Sequence, residues 1–227
     1  MELSIDTSTR YANIGLSLNG SLIAGYSWVS HQNHTVELLP SVLQLMTSNN
    51  VDQQSLKCIV VAIGPGGFSA LRVGLSTAKG LSIGLQIPIV AVNTLELEAH
   101  PFRNLSYQIC PVIDMGRGDM ITAFYGSTGS AWGKLTSETL VKPSDLMESL
   151  DKPTIICGEA ALRCAAEMAS TETPFAVFTD QPPPTRSPAS LAQIGYLRLQ
   201  SGQTDDPSAL QPIYGRQATT TSPRKLK

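Results

Sequence analysis

"VAIGPGGFSALRVGLSTAKG", Val61–Gly80, sets Gly64, Gly66 and Gly67 between a short apolar run and a helical pattern. The run Cys58–Ile63 is β-branched and bounded by glycine and proline, which reads as a buried strand. A helix is predicted from about Phe68. A strand, a glycine turn and a helix N-terminus make a ready anion site, because unpaired N–H groups and the helix dipole point at one spot. The residues do not complete one. A Walker loop needs Lys and then Ser or Thr after its last glycine, and here Phe68, Ser69 and Ala70 follow Gly67. The dinucleotide fingerprint fails at Ser69, three residues after Gly66.

The helix itself supplies another explanation. Ala70, Gly74 and Ala78 recur every four residues, with Gly80 and Gly84 one face over, a stripe of small side chains that lets another helix approach closely. Phe68, Leu71, Leu75 and Leu81 form a larger apolar face for the sheet. Both faces can be buried within one domain, or the small-residue face can meet a partner. The preceding helix, Asn33 to Met46, favours a partner: Leu39, Val42, Leu43 and Met46 make one stripe, and Leu38 and Leu45 widen it beyond a single sheet contact.

Outward from this stretch the chain reads as two halves with one plan. "LSIDTSTR", "ANIGLSLNG" and "LIAGYSWVS" are strand-like, with Asn19-Gly20 a hairpin signal, and the helix at Asn33, strand at Cys58, helix at Phe68 and strand "IPIVAV" complete βββαβαβ. "QICPVID", "MITAFYG" and Lys134–Val141 open the second half; a helix from Pro143 or Ser144, strand "TIICG", a helix from Glu159 to Met168, strand "FAVFT" and a helix from Pro188 to Gln200 follow. The expected division is an N-terminal lobe over 1–105 carrying the partner-binding helices, a second lobe over 106–180, and a linker, C-terminal helix and tail over 181–227. "DQPPPTRSP", Asp180–Pro188, is the extended part of that linker. Hairpins feeding α/β crossovers twice over predict two mixed sheets flanked by helices.

The 227 residues can bury a substantial core, and a net charge of −2 gives no electrostatic footprint for nucleic acid. The short basic tail Arg224, Lys225 and Lys227 reads as a solvated terminus. No apolar run reaches the roughly 18 residues of a membrane span, and Met1 leads straight into strand-like sequence, so a cytoplasmic protein is expected. Cys58, Cys110, Cys157 and Cys164 lack paired spacing and read as reduced core residues. His31 and His34 lie in a polar loop and, with His100, form no metal-site pattern; no metal ligand is expected.

"IDTST", Ile5–Thr9, falls at the first hairpin bend. Asp6 by charge, and Thr7, Ser8 and Thr9 by their hydroxyls, can hold a metal-bound phosphate there. The same residues can instead close a turn on their own backbone.

Taken in order, "IDTST", "HTVELLP" at His34–Pro40, "GPGGFSALRVG" at Gly64–Gly74, "DMGRGD" at Asp114–Asp119 and "PIYGR" at Pro212–Arg216 resemble the TsaB/YeaZ family, the dimerisation subunit of the bacterial tRNA threonylcarbamoyladenosine machinery. The residues carrying the motifs are Gly64, Gly66, Phe68, Arg72, Asp114, Arg117 and Gly118. Gly67, Ser69 and Ala70 stand where the family has Ser, Thr and Gly, each small for small. Met115 and Gly116 stand where it has Ala and Arg. The resemblance implies an α/β fold of the actin-like, sugar kinase-like class (ASKHA, RNase H-like) with two duplicated βββαβα halves. It implies no catalytic residues here, and no cofactor on the isolated subunit. ATP or ADP and metal belong on the partner subunits. Those partners are a larger catalytic paralogue of the TsaD type, in a heterodimer, and an ATPase of the TsaE type, with tRNA met only through the complex. The chain alone can form a homodimer. The helix interface is expected to use His34, Leu38, Val42, Leu45, Ala70, Gly74 and Ala78. The rival function is a free-standing phosphotransferase or ATPase of the same superfamily, which needs phosphate loops in both halves. The second half offers only "DMGRGD", and Gly158-Glu159 is a poor adenosine-binding glycine pair. No motif supports a peptidase.

Overall fold

Three strands at the N-terminus, β1 (Glu2–Asp6), β2 (Tyr11–Leu18) and β3 (Ser21–Val29), form an antiparallel meander in this computed structural model. The structure describes residues 1–129, 131–167, 174–179 and 183–215. Asn19 and Gly20 both take positive φ, the geometry a two-residue hairpin requires and that Asn-Gly tolerates. Helix α1 (His34–Ser48) leads to β4 (Cys58–Ala62), and α2 (Phe68–Leu85) leads to β5 (Ile89–Val92). β4 lies parallel to β1, and β5 parallel to β4, giving the sheet order β3-β2-β1-β4-β5.

The second sheet repeats this order. Strands β6 (Gln108–Asp114), β7 (Met120–Thr122) and β10 (Thr139–Val141) are its antiparallel meander, and β11 (Thr154–Cys157) and β12 (Ala176–Phe178) continue it in parallel, as β10-β7-β6-β11-β12. Its short helices are α4 (Pro143–Glu148) and α5 (Ala161–Glu167). The duplication is therefore visible in strand order. Two details differ from the sequence expectation. "MITAFYG" breaks after Thr122, because the Phe124 N–H donates to the Thr136 hydroxyl at 2.9 Å instead of to a strand. The residues beyond form an inserted hairpin, β8 (Tyr125–Thr128) and β9 (Ala131–Lys134), and of the expected third strand, Lys134–Val141, only its first residue, at the end of β9, and Thr139–Val141 are strand. A further helix, α3 (Thr94–Ala99), follows β5, capped by the Asn93 side chain accepting from the N–H groups of Leu95 and Glu96.

The first sheet is covered on both faces. Leu38, Val42 and Leu45 of α1 and Leu75 and Ala78 of α2 pack with Leu3, Ile5, Ile14 and Leu16 on one side. Helix α6 (Pro188–Gln200) brings Leu191 and Ile194 against Val60 and Val90 on the other. All four cysteines are buried thiols; burial pushes Cys58 and Cys110 up to about 12, which keeps them protonated and inert. Among the described residues no helix is long and apolar enough to cross a membrane.

The expected helix interface needs correction here. Leu38, Val42, Leu45 and Ala78 have 0–1% of their surface exposed, and Gly74 is buried. At 3.6 residues per turn the 38, 42 and 45 positions share one face of α1, and the sheet claims it. The stripe read as Leu39, Val42, Leu43 and Met46 splits: Val42 and Met46 turn inward, Leu39 and Leu43 outward. On α2 the roles partly reverse as well. Leu71 and Leu75 are buried as expected, whereas Phe68, assigned to the sheet, is exposed.

Candidate functional site

The glycine loop packs backbone against backbone. A Cβ on Gly66 would collide with the Ser8 carbonyl oxygen, and one on Gly64 with that of Ile213. The Gly67 N–H donates to Ser8 O at 2.7 Å. The loop thus grips the β1–β2 bend on one side and the C-terminal segment on the other. Gly74, one helical turn beyond Ala70, faces the same bend: a Cβ there would meet the Thr7 hydroxyl, which itself donates to Ala70 O at 2.7 Å. Of the Ala70, Gly74 and Ala78 stripe, Gly74 and Ala78 are close packing against the chain's own first hairpin and sheet, while Ala70 is half-buried and lines the open cleft where α1 and α2 begin. His34, also expected at the interface, is buried and its Nε2 lies 3.0 Å from Thr9 O, tying the start of α1 to that bend.

The bend is closed on itself. Asp6 Oδ1 accepts from the Ser8 N–H at 2.8 Å and the Ser8 hydroxyl at 2.5 Å, an Asx turn. Asp6 Oδ2 accepts from Asn13 Nδ2 at 3.3 Å and from Arg186 Nε at 2.7 Å. Asp6, Thr7 and Ser8, proposed from sequence as a phosphate cradle, are each at most 2% exposed and engaged within the chain.

Arg186 was not singled out by the sequence, and it is the centre of the cleft between the two sheets. Its side chain is fully buried. Nε reaches Asp6 at the end of β1, Nη1 donates to Glu98 on α3, and Nη2 donates to the Thr9 hydroxyl at 2.5 Å and Tyr11 O at 3.2 Å. Glu98 also accepts from the N–H groups of Thr185 and Arg186 at 2.7 and 2.9 Å. Glu159, on the turn between β11 and α5, stands 3.8 Å from Nη1 and, on its other oxygen, 3.8 Å from Arg10. Burial works against the guanidinium charge, and Asp6, Glu98 and Glu159 outweigh it, so Arg186 stays charged. Burial raises the Glu159 carboxyl above its ordinary range, opposed by Thr9, Arg186 and Arg10, while its Oε2 has no hydrogen-bond partner among the described residues. One cation therefore binds carboxylates from the first sheet and from α3, with a third 3.8 Å away on the turn that follows β11 of the second sheet. A weak signal for this existed in the sequence. Asn93-Thr-Leu-Glu96 has the form of a helix start that would have placed Glu98 on a buried turn.

The second motif, "DMGRGD", caps the β6–β7 hairpin. Asp114 pairs with Arg163 of α5 at 2.8 Å and accepts from the Gly116 N–H, while Arg117 and Gly118 are exposed at the tip with positive φ. This loop does not join the Arg186 cluster. Arg216 of "PIYGR" and the basic tail lie outside the described residues, as does part of the 180–188 linker.

The outer side of α1 and α2 stays open. Val36 is 70% exposed, Ile83 59%, and Leu39, Leu43 and Phe68 nearly half. Among the described residues, no atom beyond the helix's own neighbouring backbone lies within 4 Å of a Cβ built on Gly80 or Gly84. Where the two helices begin, an open cleft of about 490 Å³ is lined by Thr35, Phe68 and Val73 with Thr9, Arg10 and His34.

Residues 28–179 match the family model described as TsaD, tRNA N6-adenosine threonylcarbamoyltransferase. The tRNA threonylcarbamoyladenosine biosynthesis protein TsaB of Bacillus subtilis is 34% identical over 159 residues, 69% of each chain. The tRNA N6-adenosine threonylcarbamoyltransferase of Thermotoga neapolitana is 45% identical over 67 residues, 30% of this chain and 20% of that one. YeaZ from Pseudomonas aeruginosa superposes with a TM-score of 0.77 at 22% identity, covering 94% of this chain and 98% of that one. The duplicated sheets are those of the actin-like, sugar kinase-like α/β class. With its first lobe built around the glycine loop and the level of identity to the Bacillus protein, the chain belongs to the TsaB/YeaZ family.

Proposed function

We propose that this chain works in the biosynthesis of threonylcarbamoyladenosine in tRNA as a non-catalytic subunit. It pairs through the outer face of α1 and α2 with a larger threonylcarbamoyltransferase-type subunit that carries the metal, the nucleotide and the chemistry. Names of relatives such as the Bacillus TsaB support the pathway. The observation that carries the non-catalytic role is the Arg186 cluster. In an actin-like kinase the cleft between the lobes must admit a nucleotide and leave a carboxylate free to act on the attacking hydroxyl. Here a buried side chain of the same chain fills the space beside Asp6, and Asp6 has no free lone pair facing an opening. This weighs against the phosphotransferase alternative.

The pairing rests on the exposed apolar residues of two adjacent helices. The match of the transferase family model to residues 28–179 of this chain supports a partner of related fold. A related chain can present the equivalent helix pair, so that the two meet about a pseudo-twofold axis. The chain alone, offering the same face twice, forms a homodimer by the same geometry.

The test combines the purified chain with the threonylcarbamoyltransferase-type subunit, tRNA and threonylcarbamoyl adenylate. The chain alone transfers nothing and binds ATP weakly or not at all; added to the partner, it forms a one-to-one complex in analytical ultracentrifugation and raises transfer. Submicromolar ATP affinity of the free chain, or transfer by the free chain, would overturn the assignment.

A further inference from the structure

From Asp205 the chain runs back over the first lobe as a strap. The Asp205 N–H donates to Ile89 O at 2.9 Å, and its carboxylate accepts from the Ala91 N–H at 2.7 Å. Lys79 on α2 donates to Leu210 O at 3.1 Å, and the Ile213 N–H donates to Ile63 O at 2.7 Å. Gly64 leaves room for the Ile213 carbonyl where a side chain would block it. These bonds deliver Tyr214 to the first turn of α2. Its ring stacks on Phe68 with centroids 4.8 Å apart, and its hydroxyl accepts from Arg72 Nε at 2.9 Å. The Arg72 guanidinium lies 3.9 Å from the centre of the Phe68 ring.

Phe68 is thus held from behind. Tyr214 and Arg72 cover its rear, and its front lines the cleft between α1 and α2 with Thr35 and Val73 while remaining 44% exposed. A phenylalanine at the first position of a helix has no preceding turn to fix its rotamer, so an unsupported ring would lose conformational entropy on meeting a partner. Aromatic side chains that enter an interface already ordered are the ones that carry binding energy.

We propose that Tyr214 is a positioning residue of the docking face, which sets Phe68 as a preordered apolar anchor for the helix pair of the transferase-type subunit. The inference rests on the docking face proposed above and concerns which residues tune it. Its test is a double-mutant cycle in the full-length chain, with association to the purified transferase-type subunit measured by titration calorimetry and folding by circular dichroism melts. Phe68→Ala weakens association on the order of tenfold to a hundredfold, the range of an aromatic anchor. Tyr214→Ala weakens it roughly tenfold with the melt little changed, whereas Tyr214→Phe, which keeps the stack, stays within about threefold. In the Phe68→Ala background, Tyr214→Ala adds less than about twofold, because the ring it positions is gone. Equal losses in both backgrounds would overturn the proposal, and so would unchanged binding by Tyr214→Ala beside weakened binding by Phe68→Ala. Leu39→Asp separates this from the docking face itself. If Leu39→Asp leaves association intact the face is misplaced; if it abolishes association while Phe68→Ala and Tyr214→Ala do not, only the positioning role fails.

Discussion

The cleft between the sheets and the outer side of α1 and α2 are both built around the β1–β2 bend, yet one is closed and the other open. In the cleft, every hydroxyl and carboxylate of the bend has a partner inside the chain, and Arg186 supplies the positive charge. On the helices, apolar side chains are left in water. This chain fills the cleft from within and keeps exposed apolar surface elsewhere. The contrast separates polar residues that satisfy one another inside the chain from apolar residues left exposed on its surface.

Arg186 is where the contrast breaks most severely. Arg186→Met leaves Asp6 and Glu98 buried without their cation, and uncompensated buried charges of this kind cost about 3–5 kcal/mol. Urea unfolding is expected to show that loss, and neutralising the carboxylates in Arg186→Met with Asp6→Asn and Glu98→Gln is expected to recover part of it. Gly74→Leu comes next. If α2 offered this glycine to a partner, the monomer would fold normally; with Thr7 against it, overpacking costs about 1–3 kcal/mol in the isolated chain. A melt of the free chain decides between the two, and an unchanged melting temperature would return Gly74 to the surface.

Much of the architecture was legible in the sequence because it is written in local patterns. The β-branched run at Cys58–Ile63, the Asn19-Gly20 hairpin and the repeated hairpin-then-crossover order each depend on neighbours in the chain, and the sheets follow them. Both helices are written in the sequence, but which apolar residues face inward is not, because α1 is apolar on more than one side and periodicity alone does not say which side the sheet takes. Arg186 was illegible for a different reason. It lies 180 positions from Asp6 and 88 from Glu98, within a proline-rich stretch that reads as linker, and only the folded chain brings the three together. Gly74 and Ala78 carry a correct message about close approach, but what approaches them is the chain's own bend and sheet.

The open side gives a milder perturbation. Leu39 and Leu43 are roughly half in water, so Leu39→Asp is expected to shift stability by no more than about 0.5 kcal/mol, as surface substitutions do. Association with the transferase-type subunit, and any self-association of the free chain, is expected to fall by about 2 kcal/mol, the threshold for an interface hot spot. Sedimentation measures both. Leu38→Asp is the internal control: its side chain is in the core, and it is expected to unfold the chain rather than merely release the partner.

The smallest effect concerns Glu159, at the edge of the closed cluster. Its carboxyl is raised chiefly by burial and further by Glu98, against the lowering influence of the Thr9 hydroxyl, Arg186 and Arg10. A carboxyl whose folded pKa exceeds its unfolded value binds its proton more tightly in the native state, so it adds stability below the unfolded pKa and loses that contribution as pH rises through the folded one. Glu159→Gln keeps the neutral form at every pH. The variant and the parent are therefore expected to unfold alike near pH 4, with the variant the more stable above the folded pKa. His100 titrates in the opposite sense: burial and Arg103 lower it to about 4, so the parent's own stability declines as pH falls from about 6.5 toward 4. Because His100 is present in both proteins, the difference between them cancels it and isolates Glu159. A gap of reversed sign, with Glu159→Gln less stable at neutral pH, would mean that the pull of Arg186 and Arg10 exceeds the cost of burial and that the third carboxylate strengthens the closure of the cleft.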